Sequence, residues 1–375
     1  MEKNIFGKEY RLGILGGGQL GRMFIQEAIN YNIDVHIMEN DENAPSANLA
    51  TTFTKGEITN YEDVLAFGKN LNVLTVEIEN VNIEALYELE RIGVKVFPQA
   101  RVLEIIKDKG VQKEFYKNNQ IPSSDFFYFS KDEEISLPCV QKIRTGGYDG
   151  QGVKIIRSKS DLKNLFSEPS IIEELIPFEK ELSVIVARNE SGQTAVYQTV
   201  ECQFNEANLV EFLFSPAEIA PEIEKQATDL ALDVINKLEM IGILAVELFL
   251  TADGKLYVNE VAPRPHNSGH QTIECNISSQ FEQHLRAILD LPLGSTDIIQ
   301  NGVMINLLGE TDYSGNAIYQ GLEEIISIPG VHVHLYGKLT TKPNRKMGHV
   351  TVTNSSMSEA KRVAKIVKSK LKIIA

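Results

Sequence analysis

The sequence predicts a mixed α/β and α+β protein. A doubly wound parallel sheet opens the chain, a core richer in β-hairpins follows, and a small mixed unit ends it. Three observations carry this reading. Strand and helix signals alternate through the first hundred residues, as they do where helices cross between parallel strands. After about residue 100 the apolar runs come in pairs around glycine-rich or Asp-Gly turns, which is hairpin grammar. The length of 375 residues, at roughly 150 per domain, allows two or three domains.

Each element has its own local signal. Residues 11–15 are a short apolar run ending in Gly16-Gly17-Gly18, and Leu20, Met23, Phe24 and Ala28 then recur at helical spacing. Residues 34–38 read as the next strand, 73–78 as another after a polar helix, and 95–98 as the last of that sheet. A Lys- and Glu-rich stretch at 102–118 reads as one helix, broken by Ile121-Pro122-Ser123-Ser124. Strands are expected at 140–144, 153–156, 182–188 and 194–202. Ile223, Ala227, Leu230, Val234 and Leu238 mark one face of a helix over 221–241. Residues 244–250 and 256–261 form a hairpin. Near the end, Ser358 is the expected N-cap of a helix whose stripe is Val363, Val367, Leu371 and Ile374.

Composition narrows the function classes. The net charge of −14 argues against a general binder of nucleic acid or anionic membranes. It is unevenly spread: the segment from Lys338 onward carries +9 and the rest −23. Cys139, Cys202 and Cys275 are odd in number and far apart, which favours free thiols over a disulfide framework or a zinc site. The first eleven residues lack the apolar stretch of a secretory signal, and no run approaches the roughly 18 apolar residues of a membrane span. A soluble cytoplasmic protein is the expectation.

Three segments hold the residue types that chemistry needs. Gly16-Gly17-Gly18-Gln19-Leu20-Gly21 is a G-x-G-x-x-G between a strand and a helix, where backbone N–H groups can hold an anion. Glu39 follows the second strand, where the ribose-binding acid of a nicotinamide site would stand. Three readings stay open: a tight turn without ligand, a small phosphorylated ligand, and a dinucleotide. The second segment runs from Arg144 to Gly152 and has four glycines in seven residues. Backbone without Cβ atoms can close over phosphates, and Lys142 on the preceding strand can reach the same anion.

The third segment is the hairpin. With Asp253-Gly254 at its tip, 252 pairs with 255 and, counting outward, Glu247 pairs with Glu260. Their Cβ atoms would lie about 4.5–5.5 Å apart. Two like charges on strands this apolar are unfavourable, and a divalent cation removes the conflict. Mg²⁺ is typically held by one or two carboxylates plus substrate phosphates. Two solvated acids on an exposed face are the alternative. Asn259 points to the other side of an ideal strand, so it joins the pair only if the strand bends. Arg264, His266 and His270 follow among prolines and polar residues, which reads as a rigid anion-binding loop.

These segments, in this order, resemble the ATP-grasp ligases, and among them the N5-carboxyaminoimidazole ribonucleotide synthetase family. The resemblance rests on residues 13–23, Glu77-Ile78-Glu79-Asn80-Val81, residues 144–150, Glu173-Glu174, Glu181-Leu182-Ser183, residues 259–270 and Arg345-Lys346-Met347-Gly348-His349. It spans nearly the whole chain. It implies a preATP-grasp domain at 1–100, an ATP-grasp core of two lobes at 101–295, and a small C-terminal domain at 296–375 that contributes to a ribonucleotide phosphate site. It implies ATP with Mg²⁺ (or Mn²⁺) and bicarbonate as reactants with 5-aminoimidazole ribonucleotide, carboxyphosphate as the intermediate, and a homodimer in the cytoplasm. Neither nucleic acid nor membrane is an implied partner.

Carried over by position, ATP would meet Lys109, Lys142, Asn259, Glu260 and the loop of Gly147, Tyr148, Asp149, Gly150, Gln151, Gly152 and Val153. Glu173, Glu174, Leu175 and Ile176 would form the adenine hinge, and Glu181 would hold the ribose. Glu247 and Glu260 would bind the metal. The ribonucleotide would lie near Gln19, Leu20, Glu77, Asn80, Tyr148, Arg264 and His266, with its phosphate on Lys338, Lys342, Arg345 and Lys346. Arg264 and Asp149 are the implied catalytic residues. The sequence departs from the family pattern at Gln151, Lys109, Phe204 and 342–344, where basic or His residues and Arg-Pro-Gly are usual. Two alternatives remain at this stage: another ATP-grasp ligase, such as a formate-dependent glycinamide ribonucleotide transformylase, and a nicotinamide-dependent dehydrogenase built on the N-terminal glycines.

Overall fold

Strand β1 (Leu12–Leu15) is buried along its whole length, as a central strand of a parallel sheet must be. In the computed structural model, which describes residues 4–130, 135–147, 151–204 and 209–375, it lies between β2 (Val35–Glu39) and β4 (Val73–Val76). The edge strands are β3 (Thr52–Lys55) and β5 (Lys95–Val96). All pairings are parallel and the order is β3-β2-β1-β4-β5. Helices α1 (Gln19–Asn30), α2 (Tyr61–Gly68) and α3 (Ile83–Arg91) make the crossovers. Strand β3 escapes the sequence reading because it is a mostly exposed edge with one apolar residue, Phe53.

The 102–118 stretch is two helices, α4 (Ala100–Lys107) and α5 (Lys109–Asn118). Asp108 breaks it: its backbone is extended, and its carboxylate accepts from the N–H groups of Gly110 (2.8 Å) and Val111 (3.3 Å). Arg144, just after the strand Cys139–Ile143, fixes that carboxylate from a distance in sequence, its guanidinium reaching both oxygens at 2.6–3.0 Å.

Two antiparallel sheets follow. Strands β6 (Phe126–Tyr128), β7 (Cys139–Ile143), β8 (Val153–Ile156) and β9 (Ser170–Glu174) form the smaller, in the order β6-β9-β7-β8. The larger contains β10 (Phe178–Arg188), β11 (Thr194–Val196), β12 (Val200–Phe204), β13 (Val210–Ser215), β14 (Gly242–Thr251) and β15 (Leu256–Ala262). The strand expected at 194–202 is therefore split, and both pieces pair with β10. Helix α6 (Pro221–Leu238) buries Ala227, Ala231, Val234, Ile235 and Leu238 against β10 and β14, the main core of this half.

The chain then passes through α7 (Thr272–Cys275) and α8 (Gln280–Ile288) to β16 (Asn301–Leu308), which pairs with β13. Short strands β17 (Gly315–Asn316) and β18 (Ile318–Gln320), helix α9 (Leu322–Ile325), β19 (Val331–Leu335) and β20 (Thr340–Thr341) come next. Long β21 (Lys346–Asn354) joins β16 to β19, so one nine-stranded sheet runs from the hairpin to the C-terminal unit. Helix α10 (Met357–Lys370) covers it, and β22 (Lys372–Ile374) pairs with β18. The cap of α10 is Ser356 rather than Ser358, its hydroxyl accepting from the Glu359 N–H. Leu371 ends the helix, and Ile374 belongs to β22, not to the helical stripe.

Helix α8 ties the N-terminal sheet to the rest. Phe281, Leu285 and Ile288 share one core with Leu12, Ile14, Phe24 and Ile37. At its rim the Tyr31 hydroxyl donates to Glu282 (2.7 Å) and accepts from Arg286 (3.0 Å). His284 is buried in that joint, 2.9 Å from the Thr75 hydroxyl, and burial pushes its imidazole down to about 3. An unfolded chain binds a proton at His284 near pH 6.5 that the folded chain refuses until about pH 3. Between those values His284 lowers stability by about 1.4 kcal/mol for each unit of falling pH. Chemical denaturation of the His284→Gln variant is expected to show a shallower loss of stability between pH 6 and 4 than the parent. Parallel curves would refute a neutral, buried His284.

Candidate active site

The hairpin of β14 and β15 brings its two glutamates together by a route the sequence did not disclose. Its tip has three residues rather than two: the Thr251 N–H donates to the Lys255 carbonyl (3.0 Å), with Gly254 at φ +79° in the turn. Leu250 accordingly pairs with Leu256, one step out of the expected register. A bulge at Asn259 then shifts the pairing back, and Glu247 lies opposite Glu260 as expected. An extra residue in one strand re-aims its side chain. Asn259 thus turns toward the glutamates, its amide nitrogen 3.4 Å from Glu247 Oε2.

Cations surround the pair. Lys109, at the start of α5, salt-bridges Glu260. Lys142, at the end of β7, donates to Asn259 Oδ1 at 2.8 Å, and so crosses from the smaller sheet to the larger. His266 Nε2 is 3.4 Å from Glu247 Oε1. Burial and the Glu260 charge push Glu247 up to about 8. Burial acts in the same direction on Glu260, but Lys109 and Lys142 outweigh it and hold that carboxyl down, at about 2. One site thus contains a reluctant carboxylate and a firm one. The donor set, two carboxylates and an amide oxygen, is hard and oxygen-rich, which suits Mg²⁺.

Beneath this floor lies a second charge cluster. The Glu173 carboxylate on β9 is 3.0 Å from Lys142 Nζ and 3.6 Å from Lys113 Nζ, and it accepts from the Ser124 hydroxyl (3.2 Å). The side chains of Glu173 and Lys142 are only 5% and 8% exposed. Glu173 is therefore an internal counter-charge, and its side chain is not free to meet an adenine as the hinge expectation had it. The segment after it, Glu174 to Ile176, does link the two sheets. Lys113 was missed in the sequence. Its signal was there: it stands four residues after Lys109, on the same face of α5. Burial, against the pull of Glu173, brings Lys113 down to about 8.

Glu181 on β10 lines a small pocket with Cys202, Phe204, Glu247, Asn259 and His266. Burial pushes its carboxyl up to about 7, against the pull of Lys142. Gly147, Gln151, Gly152 and Val153 flank the glycine-rich loop. Gly152 has φ +82°, and a Cβ there would collide with Ile143. Tyr148, Asp149 and Gly150 lie outside the described residues.

The N-terminal glycine turn is not an open anion cradle. Glu77, at the end of β4, accepts from the N–H groups of Gly18 and Leu20, the latter at 2.9 Å. Glu39 accepts from the Gly17 N–H at 3.0 Å. The chain's own carboxylates take the place of the expected phosphate, and Glu39 is no free ribose-binding acid. Burial nevertheless raises Glu77 above the usual carboxylate range, despite these donors and Arg264. Arg264 Nε sits 2.9 Å from Glu79 Oε1, so the loop after β15 meets the segment after β4 across the joint. Gln19 is half-buried at the start of α1, and Asn80 is exposed beyond Glu79.

The expected phosphate residues fall into two sets. Lys338 Nζ donates to the Lys346 carbonyl at 2.8 Å, and Lys346 begins β21, the strand whose His349 ring lies 4.8 Å from that of His270 in the loop after β15. Arg345 instead donates to Thr340 (2.8 and 2.9 Å), and Lys342 is exposed on the turn that packs against Gly309.

Three family models match the chain: a ribonucleotide synthetase preATP-grasp domain over residues 10–107, an ATP-grasp domain over 114–281, and a phosphoribosylaminoimidazole carboxylase C-terminal domain over 302–363. The structure resembles N5-carboxyaminoimidazole ribonucleotide synthetase from Thermotoga maritima, with 40% identity and a TM-score of 0.91 over 98% of this chain and 99% of that one. It also resembles the Aspergillus clavatus N5-carboxyaminoimidazole synthase solved with ADP and 5-aminoimidazole ribonucleotide, with 32% identity and a TM-score of 0.88 over 96% and 98% of the two chains. Among curated sequences, the phosphoribosylaminoimidazole carboxylase of Ogataea methanolica is 38% identical over 94% of this chain. The chain spans about two thirds of the length of such yeast and plant relatives, between 64% and 68%.

The Glu173 cluster makes a direct prediction. Removing one partner of a buried ion pair strands the other, at about 3–5 kcal/mol. Glu173→Ala leaves both Lys142 and Lys113 without their carboxylate and is expected to destabilise by that amount in urea titration. A loss below about 1 kcal/mol would mean that the cluster is effectively solvated.

Proposed function

Because the chain belongs to the N5-carboxyaminoimidazole ribonucleotide synthetase family of ATP-grasp ligases, and so converts 5-aminoimidazole ribonucleotide to N5-carboxyaminoimidazole ribonucleotide in purine biosynthesis at the expense of ATP, we propose a division of that work among its residues. Three domains divide the labour, at 1–100, 101–295 and 296–375. Bicarbonate attacks the γ-phosphate of ATP in the cleft between the smaller and larger sheets, giving ADP and carboxyphosphate. Carboxyphosphate breaks down to CO₂ and phosphate, and the exocyclic amine of the ribonucleotide captures the CO₂ as a carbamate with loss of a proton.

The observation that carries this reading is the Glu247–Glu260 pair with Asn259 turned toward it and lysines arriving from the other sheet. Glu247, Glu260 and Asn259 would hold Mg²⁺ (Mn²⁺ suits the same donors). Bound there, the cation would neutralise charge on the phosphates during transfer. Lys109 and Lys142 supply fixed positive charge beside the same phosphates, and such positioning and neutralisation is most of what phosphoryl transfer needs. Glu181 meets the ribose, residues 174–176 the adenine, and Gly147 and Gly152 offer backbone N–H groups to the phosphates. Arg264 faces the joint from the other side and stabilises carboxyphosphate, with the ribonucleotide between it, Glu77 and His266. Asp149 completes the catalytic set. Lys338 and Lys346 hold the 5′-phosphate.

A homodimer in the cytoplasm is the working form. Free thiols at Cys139, Cys202 and Cys275 fit that compartment. Among the described residues no helix is long and apolar enough to cross a membrane. Ile277 and Ile299, flanking the Asn276–Ile298 bridge at 58% and 60% exposure, fit a surface that pairs.

The test is ADP release with ATP, bicarbonate and 5-aminoimidazole ribonucleotide, which is expected to depend on all three. Stimulation by formate and glycinamide ribonucleotide instead would replace the acceptor. In the same assay Glu260→Gln and Glu247→Gln are each expected to lower turnover at least about 100-fold; without divalent cations Glu247→Gln should melt unchanged or slightly higher, whereas Glu260→Gln, which strands Lys109, should melt lower. Full activity of Glu260→Gln would remove the metal assignment.

A further inference from the structure

The two segments assigned to the ribonucleotide, the Arg264–His266 loop and the Lys338–Lys346 pair, come from different parts of the chain, and one aromatic joint connects them. His270, at the end of the loop, is buried with its ring centroid 4.8 Å from that of His349 on β21. His349 stacks on His334 of β19, its cross-strand partner, at 4.4 Å and an interplanar angle of 11°. The Tyr336 hydroxyl is 3.0 Å from His349 Nδ1, and His334 Nε2 is 2.5 Å from Glu274 Oε1 on α7.

Each end of the joint is attached directly to a gripping segment. Gln280, fully buried, accepts from the His266 N–H and donates to the His266 carbonyl, both at 2.8 Å. The same amide lies 3.1 Å from His270 Nδ1, so His266 and His270 move as one piece. At the other end Lys338 follows Tyr336 by two residues, and its Nζ lies 5.7 Å from that ring. Lys346 precedes His349 by three residues on the same strand. After burial, the neighbours that lower His270 are His266, Lys346, His334 and Arg264, which come from both of these segments. Burial, and after it these neighbours, drive His270 and His349 well below the usual imidazole range, so these two rings are neutral.

We propose that His270, His349 and Tyr336 are positioning residues that set the distance between the base-side grip at Arg264 and His266 and the phosphate-side grip at Lys338 and Lys346. They would thereby select a 5′-phosphorylated aminoimidazole riboside over the unphosphorylated one. Stacked, close-packed rings have few alternative rotamers, whereas each lysine has many. A spacer of this kind fixes the span without touching the ligand. It has a cost that packing alone would not retain: His349 Nε2 and Glu274 Oε2 are buried without a hydrogen-bond partner among the described residues. The proposal rests on the phosphate reading of the two lysines.

The test uses the full-length enzyme with ATP, bicarbonate and either the ribonucleotide or its riboside. Tyr336→Phe/His349→Phe removes both members of one hydrogen bond while keeping an aromatic ring at each position, the one at 349 slightly larger than imidazole, and survival of the fold is checked by melting. The expected result is a KM for the ribonucleotide raised about 10- to 100-fold, KM for ATP unchanged, and most of the preference for the phosphorylated substrate lost. Tyr336→Phe alone is expected to show a smaller effect of the same kind. Lys338→Ala and Lys346→Ala should raise the ribonucleotide KM and leave the riboside unaffected. If the lysine variants are silent, the phosphate reading fails and the spacer with it. If they respond while the double variant keeps its KM within twofold, or loses kcat for both substrates equally, the spacer alone is overturned.

Discussion

Two carboxylates held face to face on adjacent strands are the constraint around which this molecule is arranged. Like charges directly opposite each other on a ladder repel, and burial raises the cost of charging either one. Much of what surrounds Glu247 and Glu260 offsets that cost. The Asn259 bulge turns an amide toward them, α5 begins with Lys109 against Glu260, and Lys142 reaches over from the smaller sheet. The break between α4 and α5 at Asp108 belongs to the same arrangement, because it sets where α5, and hence Lys109, begins. Glu173 then balances Lys142 and Lys113 from below. The lysines therefore have partners on both levels of the cleft, and a bound polyphosphate would exchange one set of anions for another.

The same principle explains the glycine turn. A helix N-terminus after a parallel strand attracts negative charge whatever its source. Here Glu77 and Glu39 reach that position from the chain itself and take up the N–H groups of Gly17, Gly18 and Leu20. The motif survives as architecture: it holds the end of β4 against α1, and so presents Glu79 to Arg264. A glycine signature thus marks where an anion sits. Which anion depends on side chains some 20 and 60 residues further along, at Glu39 and Glu77.

How far the sequence could be read follows from this difference between local and distant causes. The parallel sheet, α6 and the Glu247–Glu260 register were legible because apolar period and turn residues encode them within a few positions. The register came out right although both of its premises were off by one: the longer tip and the bulge cancel. The split of 102–118 was hidden by a continuous run of helix formers, although Asp108, the cap that makes it, is a local signal that Arg144 then fixes from afar. Strand β3 has too little apolar content to declare itself. Glu173 falls in the expected hinge segment, but its side chain turns inward to Lys142 and Lys113, a direction that a motif cannot give. The Lys113 side chain, four positions after Lys109, could have been inferred from helix geometry alone.

The basic tail shows why composition is best read after topology. Its +9 charge is split by the fold into two surfaces with different surroundings. On α10, Lys361, Arg362, Lys368 and Lys370 pair with Glu218, Glu359, Glu211 and Glu324, and Lys372 after it pairs with Glu310. Exposed pairs of this kind contribute little to stability, but they neutralise the positive charge locally, against acids of the body and, for Arg362, against Glu359 of the same helix. Lys338 instead bonds the main chain of Lys346, which begins β21 in the same nine-stranded sheet that bears Glu247. One sheet therefore carries both the hairpin carboxylates and Lys346, with Lys338 bonded to the Lys346 main chain from the turn after β19. A ligand spanning from one to the other is measured against a single framework, and α8 locks the N-terminal sheet onto it.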